Sequence, residues 1–134
     1  MNRHQSRVFA VQALFQWHFT QESPEILLQD FIVEHAKEDK TADLVFLRQL
    51  FLETTTHVAT IDQTLEPFLS RKIATLNPLE LSVLRLAVCE LQYHPETPKK
   101  VVMNEAIEIA KEFGTVDGYK FVNGVLNAAV KALQ

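Results

Sequence analysis

The chain has 134 residues, 47% of them hydrophobic, and a formal net charge of −4, enough for one domain with a core of its own. Three glycines and five prolines leave little room for long linkers or a turn-rich β architecture. No apolar run reaches about 18 residues and the start lacks the continuous apolar stretch of a signal peptide, which argues against a membrane span or a secreted protein.

The predicted elements are helical throughout. Val8, Val11, Leu14, Phe15 and His18 recur at three- and four-residue spacing, the pattern of an amphipathic helix. "SPE" then restarts the chain, with Ser23 as a capping residue and Pro24 at the first helical position, before the apolar stripe Leu27, Leu28, Phe31, Ile32 and His35. "AKEDKTAD", residues 36–43, reads as a polar turn. Leu44, Leu47 and Phe51 begin a third helix that weakens at Thr54, Thr55 and Thr56 near His57. Ile61, Leu65, Phe68 and Leu69 continue the spacing, with Pro67 either opening a new turn or kinking the helix.

"LNPLEL" is the clearest start signal: Asn77 can cap, Pro78 follows, Glu80 can close a capping box, and Leu76 and Leu81 have hydrophobic-staple spacing. This helix carries Leu81, Leu84, Val88 and Leu91 and stops at "YHP". Thr97 and Pro98 repeat the cap-plus-proline device, and Val102, Ala106, Ile109, Ala110 and Phe113 line one face up to Gly114. Gly114 is expected to be the left-handed residue past a helix end. Asp117 is expected to cap a last helix bearing Phe121, Val122, Val125, Leu126 and Val130. No segment alternates with the period of a strand. The expectation is an all-α single domain of about seven helices.

Familiar catalytic and metal patterns are missing. The five histidines are scattered without an HExxH, and the single cysteine, Cys89, has no partner for a metal pair or an internal disulfide, which suits a reducing cytoplasm. His18 and His35 read as hydrogen-bonded residues at the edge of the core, and Cys89 as a packing residue. No serine sits in a GxSxG turn, and the glycines form neither a Walker loop nor a GxGxxG pattern. Glu105, Glu108 and Glu112 read as a solvated helix face. No enzyme, cofactor or metal is expected.

Charge is uneven. Residues 1–21 and 118–134 contain no acid, so residues 22–117 hold all 17 acidic residues and nine of the 13 basic ones. If the fold brings the ends together, a cationic patch sits on an acidic body; the plainer reading is four ordinary solvated cations. All three glycines lie between positions 114 and 124, in "FGTVDGYKFVNG" with Asp117, Lys120, Phe121 and Asn123. Gly118 at a helix start allows another molecule to approach the backbone. Gly124 inside the helix costs roughly 1 kcal/mol against alanine and marks tight packing of a helix or a partner. An aromatic and a lysine at a helix start permit RNA contact, one stacking on a base and the other meeting phosphate, without requiring it.

"AVQALFQW", "LNPLELSVLRLAVCEL" and "VVMNEAIEIAKEFGTVDGYKFVNGVLN" together resemble, in order and over essentially the whole chain, the NusB family of bacterial transcription antitermination factors. The resemblance implies an all-helical domain that binds single-stranded boxA RNA with NusE, a small-subunit ribosomal protein, joins RNA polymerase complexes and suppresses premature termination. It implies Arg3 and Arg7 as phosphate contacts, Phe113, Asp117, Lys120 and Phe121 around the bases, and Glu80 as a polar contact to NusE. Arg3 and Arg7 are one turn apart and share a face. The early arginines are sparser than in many family members, which implies weak, salt-sensitive binding to RNA alone. Phe15 stands where a tyrosine is common. Two other readings compete: a helical module that docks on protein or forms a homodimer, and the NusB-like domain of an RNA methyltransferase.

Overall fold

The protein is described by a computed structural model covering residues 2–35, 39–114 and 116–133. Seven α-helices run in chain order: α1 (Arg3–Thr20), α2 (Pro24–His35), α3 (Leu44–Thr56), α4 (Val58–Leu65), α5 (Pro78–Tyr93), α6 (Lys99–Phe113) and α7 (Gly118–Ala132). Short 3-10 turns at Glu66–Phe68 and Ile73–Thr75 join α4 to α5, so Pro67 opens a new turn rather than kinking a helix. The polar turn expected at 36–43 lies partly outside the described residues; its last residue, Asp43, caps α3 by accepting from the Phe46 N–H at 3.1 Å. No described residue belongs to a strand, apart from an isolated bridge between Asn2 and Ala42. Among the described residues no helix is long and apolar enough to cross a membrane.

Helix α5 sits at the centre, packed against α1, α3, α4, α6 and α7. Its sequence reads as one apolar stripe, yet the helix is buried nearly all round: Ser82, Val83, Leu86, Ala87, Cys89 and Glu90 are interior as well as Leu81, Leu84 and Val88. Asn77 starts it as expected, its side chain accepting from the N–H groups of Leu79 and Glu80 at 2.9 and 3.2 Å. Burial pushes the Cys89 thiol up to about 12, so it is an unreactive packing residue. His35 is likewise a core-edge residue, stacked on the Phe31 ring at 3.9 Å with Nδ1 3.0 Å from the Phe31 carbonyl.

Two helix ends depart from expectation. Pro98, not Thr97, occupies the cap position of α6, a one-residue shift of the kind helix ends show. The left-handed cap belongs to Gln21 after α1, at φ 52°, whereas Gly114 is extended at φ −88° and ψ −175°.

A buried ion pair ties α1 to the central helix. Arg7 donates from Nε to Glu90 Oε1 at 2.9 Å and from Nη2 to Glu90 Oε2 at 2.5 Å. Glu105 of α6 approaches the same guanidinium at 3.6 Å and also meets His4 Nδ1 at 2.5 Å. Glu105 is therefore a partner of α1, not part of a solvated face, while Glu108 and Glu112 remain exposed. Burial disfavours the charged guanidinium, but the Glu90 hydrogen bond and the charges of Glu90 and Glu105 outweigh it, so the Arg7 pKa rises. Removing one partner strands the other charge in the interior. Glu90→Ala is expected to cost about 3–5 kcal/mol in urea denaturation, and Arg7→Met with Glu90→Leu to recover most of that loss.

A second polar knot closes the α5–α6 turn onto α3. The His94 ring is buried, with Nδ1 2.9 Å from Glu96 Oε1 and Nε2 3.0 Å from Glu53 Oε2. Burial alone would lower its pKa; the Glu96 hydrogen bond and the Glu53 charge more than offset that, and the net direction is up. The imidazolium therefore stabilises the fold fully below about pH 6.5, and the contribution is lost as pH rises through the raised folded value. As pH rises above about 6.5, the thermal midpoint of the parent should fall more steeply than that of His94→Gln, which melting curves over a pH series would show.

Candidate nucleic-acid interface and its neighbouring groove

The start of α1 is held in place by backbone and side-chain bonds to the turn before α3. The Asn2 N–H donates to the Thr41 carbonyl at 2.8 Å. Asn2 Oδ1 accepts from the Gln5 N–H at 3.0 Å, and the Asp43 N–H donates to Ser6 Oγ at 2.8 Å. This fixes where Arg3 and Arg7 leave the helix. Both guanidinium carbons lie over the Phe46 ring, at 4.3 and 5.0 Å from its centroid, so they share a face as the spacing predicts. Their environments differ sharply. The Arg3 side chain is 57% exposed, with Asp43 3.8 Å away, whereas that of Arg7 is 6% exposed and committed to Glu90. The donors of Arg7, expected as a phosphate contact, face the interior, because a bidentate carboxylate holds them there.

The second half of the expected surface lies where α6 meets α7. Asp117 occupies the cap position of α7, and its carbonyl accepts from the N–H groups of Lys120 and Phe121 at 3.1 and 3.3 Å. Its side chain makes no capping bond. With ψ at 3° the residue lacks the extended backbone that aims a capping side chain back at the helix; the carboxylate instead sits 3.6 Å from Lys120 Nζ. The Lys120 side chain is 66% exposed and that of Asp117 80%. Phe121 is half-buried and packs against the core, leaving only part of its ring for a base.

The glycines play roles that differ from those expected. A Cβ at Gly114 would lie 2.5 Å from the Ala110 carbonyl oxygen, so the residue is required by close approach of backbone, not by a left-handed turn. Gly118 is buried, so protein rather than a foreign molecule covers it. A Cβ at Gly124 would meet nothing within 4 Å; among the described residues no helix packs there, so the expected tight packing is not found among them.

Residues that the periodicity left unassigned complete the junction. Tyr119 is flanked by two ammonium groups, Lys111 Nζ at 5.2 Å and Lys120 Nζ at 6.0 Å from its ring centroid. The residue types, a tyrosine between Asp117 and Lys120 and a lysine one turn before Gly114, were visible in the sequence; their meeting across the junction was not. Glu90 and Glu105, which decide the fate of Arg7, lie 83 and 98 positions away from it, beyond the reach of any local pattern.

Phe113 belongs to a different feature. It is partly exposed and, with Gly114, walls an open groove of about 740 Å³ whose other sides are Phe15 and Phe19 of α1, Phe31 and His35 of α2, and the Asn77–Pro78–Leu79 start of α5. Phe15 and Phe19 meet edge to face at 5.1 Å. The groove is mostly apolar, and such a concavity between helices suits an inserted protein segment. Glu80, expected as a polar contact to NusE, is 7% exposed and follows Leu79 of this wall, because the first turn of α5 is packed into the domain. Among the described residues no cluster of histidine, cysteine or carboxylate could hold a metal.

An all-helical domain with two exposed lysines at a helix junction beside an apolar groove has the features of a binding protein. The sequence matches the NusB family over residues 4–131. The transcription antitermination protein NusB of Histophilus somni (strain 2336) is 45% identical over 131 residues, 98% of this chain and 91% of the relative. That of Coxiella burnetii (strain Dugway 5J108-111) is 45% identical over 125 residues, 93% and 89% of the two chains. Among solved structures, T. maritima NusB superposes with a TM-score of 0.84 at 32% identity, covering 98% of this chain and 92% of that one. A NusB solved as antitermination factors NusB and NusE in complex with dsRNA superposes with a TM-score of 0.86 at 30% identity, covering 98% and 99%. The chain belongs to the NusB family, and the relatives named here are transcription antitermination proteins.

Proposed function

We propose that this chain binds boxA RNA of nascent ribosomal RNA transcripts together with NusE, joins the RNA polymerase antitermination complex in the cytoplasm and suppresses premature termination. Support comes from the relatives named above and from a solved neighbour that holds NusE and RNA at once. The observation that carries the reading is the exposed cation at the head of α7: Lys120 stands at the junction beside Asp117, with Phe121 half-open behind it.

In this reading the RNA backbone meets Arg3 and Lys120, whose charges reach solvent, and a base stacks on the open part of Phe121. The Asp117 carboxylate accepts from an exocyclic base amino group. Arg7 sets the angle of α1 and hence the position of Arg3, touching no phosphate itself. NusE lays an apolar segment into the groove against Phe15, Phe19, Leu79 and Phe113. Glu80, 7% exposed next to Leu79, contributes at the edge of that wall. The acidic middle of the chain suits a basic ribosomal protein.

Arg3→Gln and Lys120→Gln, both at exposed sites, should each lower the slope of log affinity against log salt by about 0.7 for a short boxA-like RNA. Purified NusE should tighten that binding and leave a scrambled RNA behind. Equal binding to both RNAs, or none with NusE present, would overturn the reading.

A further inference from the structure

We infer that Lys111 and Lys120, held on either side of the α6–α7 junction by the Tyr119 ring, form a two-ammonium clamp for the RNA phosphate backbone. This rests on the RNA-binding reading and adds to it two residues, Lys111 and Tyr119, that neither the sequence pattern nor the relatives' names assign.

The geometry is unusual for free surface lysines. Two like charges repel, and long lysine side chains lose rotamer freedom when they are fixed. Here both ammonium groups lie within 6.0 Å of one ring centroid, drawn by the electron-rich face of the aromatic ring. Tyr119 is itself half-buried against the core, so the platform is fixed by packing while the ammonium groups remain in solvent. Lys111 comes from the last turn of α6 and Lys120 from the first turn of α7, so the clamp spans the junction. Asp117 lies 3.6 Å from Lys120 and partly neutralises it. Among the described residues no carboxylate reaches Lys111 within ion-pairing distance, which leaves it the less compensated of the two charges. Two ammonium groups set on one ring, with a single carboxylate, Asp117, in ion-pair reach of one of them, offer an excess positive charge to a polyanion. Tyr119 is a positioning residue in this arrangement.

The test is fluorescence anisotropy with a labelled boxA-like RNA across a salt series, using the full chain with NusE. Lys111→Gln should lower the slope of log affinity against log salt by about 0.7, as Lys120→Gln does. Lys99→Gln, an exposed lysine at the opposite end of α6, should leave it at the parental value. Tyr119→Phe keeps the ring and should keep parental affinity and slope, whereas Tyr119→Leu should lower both. If circular dichroism shows Tyr119→Leu to be misfolded, the exposed Lys111→Gln still decides the matter. A Lys111→Gln slope equal to the parent's, beside a lowered Lys120→Gln slope, would overturn the clamp and leave the RNA-binding reading standing. Absence of salt-dependent binding by the parent would overturn both.

Discussion

Arg7 runs from α1 into the interior and meets Glu90 of the central helix in a bidentate pair, with Glu105 of α6 3.6 Å from the same guanidinium. Taking a guanidinium and a carboxylate out of water costs several kcal/mol for each ion, and only good geometry offsets it. The pair therefore acts as a constraint on how three helices meet, more than as a net source of stability. α1 can be seated in one way only, with Ser6 and Asn2 locked to the turn before α3 and Arg3 lying over Phe46. The first turn of α1, where a cation must reach solvent to be of use to a polyanion, takes its position from a cation that never does.

From this seat the rest of the binding surface follows. α5 is packed on nearly every side, so its first turn is a rigid wall, and α1 and α2 close around it to leave the groove of Phe15, Phe19, Phe31 and Leu79. The end of α6 contributes Phe113 and Gly114 to that groove, and two residues earlier in the same turn it contributes Lys111 to the junction with α7. The last turn of α6 thus belongs to both proposed surfaces. Gly114 makes the sharing possible, since any side chain there would press on the Ala110 carbonyl oxygen at 2.5 Å and displace the turn. A partner seated in the groove and an RNA at the junction would then bear on the same short piece of backbone, which gives a physical route for one to favour the other.

Much of the fold was legible because it is written in local signals. Pro24, Asn77–Pro78 and Asp117 sit at helix starts, and the apolar spacing places Leu47, Leu84, Ile109 and Leu126 in the core. The site was legible only in part. Lys120 and Arg3 are exposed as expected, because charge at a helix end needs no distant information to be read. The burial of Arg7 was not legible because its partner is 83 positions away, and one turn of spacing from Arg3 says nothing about which arginine the fold will bury. Glu105 failed for the same reason. Gly114 and Gly124 could be seen to matter as glycines, but whether a Cβ meets a carbonyl or open space depends on tertiary approach. Phe113 shows a further limit: it follows the apolar period of α6, and only the packing of α1 and α5 decides that it faces a groove.

The central claim is that two different ligands use two adjoining surfaces joined by the last turn of α6. The most direct measurement is an amide chemical-shift map of the isotopically labelled protein, titrated first with a boxA-like RNA and then with NusE. The account predicts that RNA shifts the signals of Arg3, Lys111, Tyr119, Lys120 and Phe121. NusE should then shift those of Phe15, Phe19 and Leu79 without reversing the first set, and Phe113 and Gly114 should respond to both. Reversal of the RNA-induced shifts on adding NusE, or RNA shifts centred on Phe15 and Leu79, would contradict it.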